Sequence, residues 1–120
     1  MTTWITVCDT CKRDGWLVGD TDGEKLAAAV EAAAEGSDHV KTRRVSCTMG
    51  CVRACNVTLQ AEGKLAYTLG EFEPGAEAAE AIVEYAELHA QSETGQVPYR
   101  QWPQGVKGHF VTRMHPLPTE

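Results

Sequence analysis

The chain has 120 residues, 42% of them hydrophobic, and a formal net charge of −6. That length allows one domain with a real core, and the acidic balance argues against nucleic acid as a partner. No apolar run approaches the roughly 18 residues of a membrane helix, and the N-terminus lacks the basic-then-apolar layout of a signal peptide, so a cytoplasmic location without membrane attachment is expected.

Residues 3–8, Thr-Trp-Ile-Thr-Val-Cys, are β-branched and aromatic in rough alternation and predict a first strand. From Asp9 to Gly23, three glycines (Gly15, Gly19, Gly23) and four aspartates predict a loop. A helix is expected over 24–35, with Asp22 as N-cap, Leu26 and Val30 on one face and Gly36 just past its end. Residues 40–46 read as a second strand that runs into a cysteine-rich loop. Residues 56–61 and 65–69 read as two further strands, joined by the short turn Glu62-Gly63-Lys64.

Pro74 is predicted in the first turn of a second helix over 75–91. Ala79, Ile82, Val83 and Ala86 would face inward, and Glu77, Glu80, Glu84 and Glu87 would form a solvated acidic stripe. Pro98, Pro103, Pro116 and Pro118, with Gly105 and Gly108, predict an irregular tail in which 109–113 alone reads as a short edge strand. The order is β-α-β-β-β-α. It gives an α/β, thioredoxin-like layout with a four-stranded mixed sheet and two main helices. The domain would span 1–94, with the tail 95–120 packed on it.

All five cysteines fall in two stretches, Cys8-Asp9-Thr10-Cys11 and Cys47-Thr48-Met49-Gly50-Cys51-Val52-Arg53-Ala54-Cys55. Thiolates are soft ligands that suit zinc, copper(I) or iron–sulfur clusters. In a reducing compartment, clustered cysteines are better read as metal ligands or redox thiols than as structural disulfides, and an odd count agrees. On this topology the loop after the second strand lies next to the end of the first. The two stretches are therefore expected to meet and hold one metal centre, with Gly50 letting the loop fold tightly.

A redox-active Cys8–Cys11 dithiol is the competing reading. Against it, a long loop separates the pair from the first helix, whose N-terminus would lower a thiol pKa, and no proline precedes Pro74 to stand opposite the dithiol. Cys55, at the start of the third strand, reads as either a ligand or a buried core thiol. Six of the eleven basic residues (Lys12, Arg13, Lys41, Arg43, Arg44, Arg53) flank the cysteines and would offset thiolate charge or be solvated. His39, His89, His109 and His115 read as structural or exposed. Trp4, Trp16 and Trp102 read as core and tail-packing residues, with Trp16 near enough to Cys11 in sequence to shield a cluster.

Cys47 and Cys51, then Asn56-Val57-Thr58-Leu59, Tyr67 and Glu73-Pro74, resemble the second half of thioredoxin-like [2Fe–2S] ferredoxins of the Shethna-protein type. Over nearly its whole length the chain is similar to a bacterial family of small predicted metal-binding proteins of unknown function. Members share the strand–CxxC start, the three-cysteine loop and the proline-rich tail, often in a cobalamin-biosynthesis context. The resemblance implies a [2Fe–2S] cluster held by Cys8, Cys11, Cys47 and Cys51. In the ferredoxins the second ligand sits on a longer loop, and Cys55 has no counterpart there although it belongs to the small family's own motif. The fourth ligand is therefore Cys11 or Cys55, or all five thiols share the site with one exchangeable; a [4Fe–4S] cluster would use four thiolates too.

The expected function is a non-enzymatic one-electron carrier or redox-responsive protein with a redox partner protein, and a homodimer is compatible with it. A zinc or other metal-binding protein, structural or carrier, is the alternative. A thiol–disulfide oxidoreductase comes third.

Overall fold

The computed structural model describes residues 2–46, 49 and 51–118, with only the backbone of Cys51. Its elements are β1 (Thr3–Cys8), α1 (Asp22–Ala34), β2 (Val40–Val45), β3 (Val57–Gln60), β4 (Ala66–Leu69), α2 (Ala76–Gln91) and β5 (Phe110–Met114). Short 3₁₀ turns occupy Cys51–Arg53, Tyr99–Gln101 and Gln104–Val106. The strands form one mixed sheet in the order β2-β1-β3-β4-β5, with β1 and β2 parallel and the remaining pairs antiparallel. No described helix is long and apolar enough to cross a membrane.

The sheet has five strands rather than the expected four. Phe110 supplies the reason, because its ring packs edge-on against Tyr67 and Tyr85 and stacks with Trp102 at 4.4 Å. That aromatic anchor sets the segment beside β4, so the glycine- and proline-rich tail ends in a strand.

Alternation decides which face is buried. Ile5, Val7, Val57, Leu59 and Leu69 are sealed beneath α1 and α2, which pack on each other and on β1. Leu26 and Val30 of α1 and Ile82, Tyr85 and Ala86 of α2 fill the layer between. The other face carries one row across all five strands in register: Arg43, Thr6, Thr58, Thr68 and Thr112. Arg43 Nε donates to Thr6 Oγ1 at 2.7 Å, and the Thr58 and Thr68 hydroxyls lie 3.3 Å apart. Trp4 belongs to this face and is 40% exposed beneath the Lys41 ammonium, so it is not a core residue.

Helix ends refine the reading. Thr21, not Asp22, caps α1: its hydroxyl accepts from Glu24 N–H while the Glu24 carboxylate accepts from Thr21 N–H, a reciprocal capping box. Gly36 follows the C-cap with φ 85°, the conformation glycine adopts without strain. Pro74 stands before the N-cap of α2, which is Gly75, and so lies outside the first turn. At the other end the buried Lys64 ammonium donates to the carbonyls of His89 and Ala90, at 3.1 and 2.6 Å.

Candidate metal centre

Strand pairing brings the cysteine stretches together. Cys8, the last residue of β1, stands opposite Val45, the last of β2. Beyond them Asp9 N–H donates to Val45 O at 2.9 Å, and the Thr10 hydroxyl donates to Ser46 O. The CxxC turn is therefore bonded to the residue that leads into Cys47. Cys47, Thr48 and Gly50 lie outside the described residues, as does the side chain of Cys51, whose backbone opens a 3₁₀ turn. The chain returns through Cys55, after a cis Ala54–Cys55 peptide, to Asn56 and β3.

Asn56 touches both cysteines of the turn. Its carbonyl accepts from Cys8 N–H at 3.4 Å, and its side-chain Nδ2 donates to Cys11 Sγ at 3.3 Å. Cys55 is held differently, by reciprocal backbone bonds with Phe72 of 3.4 and 3.2 Å.

The start of α1 completes the enclosure. Gly23 N–H donates to Cys11 O at 2.9 Å, the Thr21 hydroxyl donates to Asp9 O, and Asp22 accepts from Arg13 N–H at 2.7 Å. The long loop separates helix and dithiol in sequence but not in space. Separation from the helix is thus no argument against a dithiol here.

Cys8 and Cys11 are 1% exposed and Cys55 is fully buried. Burial pushes the Cys11 thiol up to about 12, with help from a hydrogen bond to the Cys8 side chain and opposition from the Asn56 backbone. Burial likewise pushes Cys55 up to about 12; Asp22 adds to the rise and Arg13 works against it. Both thiols are protonated at neutral pH, and this opposes their use as redox nucleophiles. A soft metal would have to displace those protons.

Of the flanking cations, Arg13 reaches a thiol electrostatically. Others are engaged elsewhere: Arg44 with Glu31 at 2.8 Å, Arg53 with Glu71 at 2.7 Å, Arg43 with Thr6, and Lys12 over the Trp16 ring. Trp16 itself donates to Asp20 O within its own loop. His89 is buried between Thr3 and Leu65, and His109 stacks on Phe72 with Nδ1 at Gly70 O, so both are structural. Among the described residues, no three His, Cys, Asp or Glu side chains already stand as a complete ligand group.

The donor set nevertheless fits a thiolate-bound centre. Cys8 and Cys11 lie side by side in a dry site, a buried N–H points at one sulfur, and the loop carrying further thiols begins one bond away. The loops that carry the cysteines also expose Leu17, Val18, Met49 and Val52, each more than 80% exposed. No site role was read from the sequence for Thr21, Gly23 or Asn56. The Thr21-x-x-Glu24 pattern was a signal for the first; the other two act through contacts that only the fold creates.

No curated protein and no solved structure matches the chain. A family model does match, over residues 5–116, from within β1 to beyond β5. On that match the chain belongs to the family described as protein of unknown function DUF1636.

Proposed function

We propose that the protein is a one-electron carrier or redox-responsive protein without catalysis of its own. It would hold a [2Fe–2S] cluster through Cys8, Cys11, Cys47 and Cys51 on a thioredoxin-like domain. The observation that carries this reading is the bonding of Asp9 and Thr10 to Val45 and Ser46, which sets the CxxC turn against the entrance to the Cys47–Cys51 loop. The strand order β2-β1-β3-β4, with β1 and β2 parallel, supports the thioredoxin-like assignment and its kinship with Shethna-type ferredoxins. A bound cluster would supply the one-electron chemistry.

The chain's own residues would do the rest. Burial of Cys8 and Cys11 excludes water, which favours a stable cluster and limits hydrolysis. Arg13, which acts electrostatically on the neighbouring Cys55, would also offset the negative charge of a thiolate-bound cluster. Exposed Leu17, Val18, Met49 and Val52, on the loops that carry the cysteines, offer apolar contacts to a redox partner protein.

The test is anaerobic purification, a visible absorption spectrum, and assays of iron, sulfide and zinc on one sample. About two iron and two sulfide per chain, with colour bleached by dithionite, is the expected result. Colourless protein with about one zinc would replace the cluster with a structural or carrier zinc site. More iron with a different spectrum would indicate [4Fe–4S]. Metal-free protein whose Cys8 and Cys11 cycle as a disulfide would overturn the metal reading altogether.

A further inference from the structure

We propose that Asn56 is a positioning residue of this centre, whose amide selects Cys11 over Cys55 as the fourth ligand and strengthens the centre's hold on an added electron. The proposal rests on the cluster reading above. It starts from one residue making two grips: the Asn56 carbonyl holds Cys8 N–H at 3.4 Å, and its Nδ2 donates to Cys11 Sγ at 3.3 Å. Asn56 is 1% exposed, so water does not compete for that amide.

A thiolate bound to metal is a better acceptor than a thiol, and N–H donors to sulfur stabilise the more negative, reduced state of a cluster. In a buried site the bond is stronger than in water. Asparagine suits the position because its short side chain spans from the start of β3 to the CxxC turn while its backbone remains paired to β1.

Cys55 lacks these features. Its backbone is tied on both sides to Phe72, and among the described residues no hydrogen-bond donor reaches its sulfur, although it shares the buried core with Cys8 and Cys11. It behaves as a small apolar core residue. The choice left open by cysteine spacing is thus made by a residue that is not a cysteine.

The experiment compares wild type with Asn56→Leu, Cys11→Ser and Cys55→Ser after anaerobic reconstitution with iron and sulfide. Each is assayed for iron and sulfide, recorded by electron paramagnetic resonance after reduction, and titrated for its reduction potential. Cys55→Ser should keep the wild-type spectrum and potential, and Cys11→Ser should lose the cluster or change its spectral signature. Asn56→Leu should keep iron and sulfide but bind the added electron about tenfold more weakly, a shift of about 59 mV to lower potential for a one-electron couple. Asn56→Val, which has no side-chain donor and suits the start of a strand, is read the same way if the leucine variant does not fold.

An unchanged potential in the folded Asn56 variant would overturn the proposal. So would loss of the cluster in Cys55→Ser with retention in Cys11→Ser. If wild type takes up zinc but no iron and sulfide, the cluster reading alone fails. Zinc affinity of the Asn56 variant then decides: about tenfold weaker supports the grip on Cys11, and unchanged overturns it. If wild type takes up neither, both readings fall.

Discussion

Gly23 lies directly against the Cys8 carbonyl: a β-carbon built on Gly23 would stand 2.1 Å from Cys8 O and 3.0 Å from the Asp9 backbone. Both obstacles are main chain and cannot swing aside. Gly23→Ala should therefore force α1 away from the end of β1 and destabilise the protein by about 1–3 kcal/mol. Urea denaturation of the metal-free protein would measure the loss, and metal loading should fall with it. A variant as stable as wild type would show that the helix can retreat freely.

Thr21 holds two groups at once, accepting from Glu24 N–H and donating to Asp9 O. Thr21→Ala should cost about 1 kcal/mol through the lost cap, with more from the freed Asp9 carbonyl. Thr21→Ser should recover most of it. Thermal denaturation of the three proteins side by side checks the ranking.

Gly75 offers the opposite case. It caps α2 without a side-chain bond, its φ of 163° is ordinary extended backbone, and a β-carbon there meets nothing within 4 Å. Gly75→Ser should stabilise by a few tenths of a kcal/mol by supplying the missing acceptor. A loss of stability on denaturant titration would mean that the cap geometry rejects the hydroxyl.

His89 makes stability depend on mild acid. It is fully buried, and Leu65 O can only accept, so Nε2 carries the proton and donates while Nδ1 accepts from the Thr3 hydroxyl. Burial holds its pKa below the usual 6.5; the Lys64 ammonium works the same way, and the bond to Leu65 works against it. The unfolded chain therefore takes up this proton first as pH falls. The full contribution is present above about 6.5 and declines through the lowered folded value, by at most about 1.4 kcal/mol per pH unit. Unfolding free energies of wild type and His89→Gln at pH 7.5 and 5.5 should show the steeper loss in wild type.

The helices and inner strands were legible because their signals are local. Leu26 and Val30, or Ile82 and Ala86, repeat at helical spacing, and β1 reads as a strand from its own β-branched residues. β5 was legible as a short edge strand over 109–113, but not as the fifth member of the sheet. Phe110 sets it beside β4 by reaching Tyr67 and Tyr85, partners that no window around residue 110 contains. The cap of α1 went to the more conspicuous Asp22, although Thr21 and Glu24 carried the reciprocal pattern. At the candidate centre the cysteines announce themselves by spacing, whereas Asn56 meets Cys11 across 45 positions of chain and has no local signature.

The threonine row on the open face has a consequence for folding fidelity. Side chains alternate faces along a strand, so a one-residue slip of β3 along β1 would turn Thr58 inward and expose Val57 and Leu59. The same slip would carry the Asn56 carbonyl off Cys8 and its amide off Cys11. A misregistered sheet thus loses its core and its cysteine site in one step. On the proposed cluster reading, only chains whose sheet has closed in register would present these cysteines to metal.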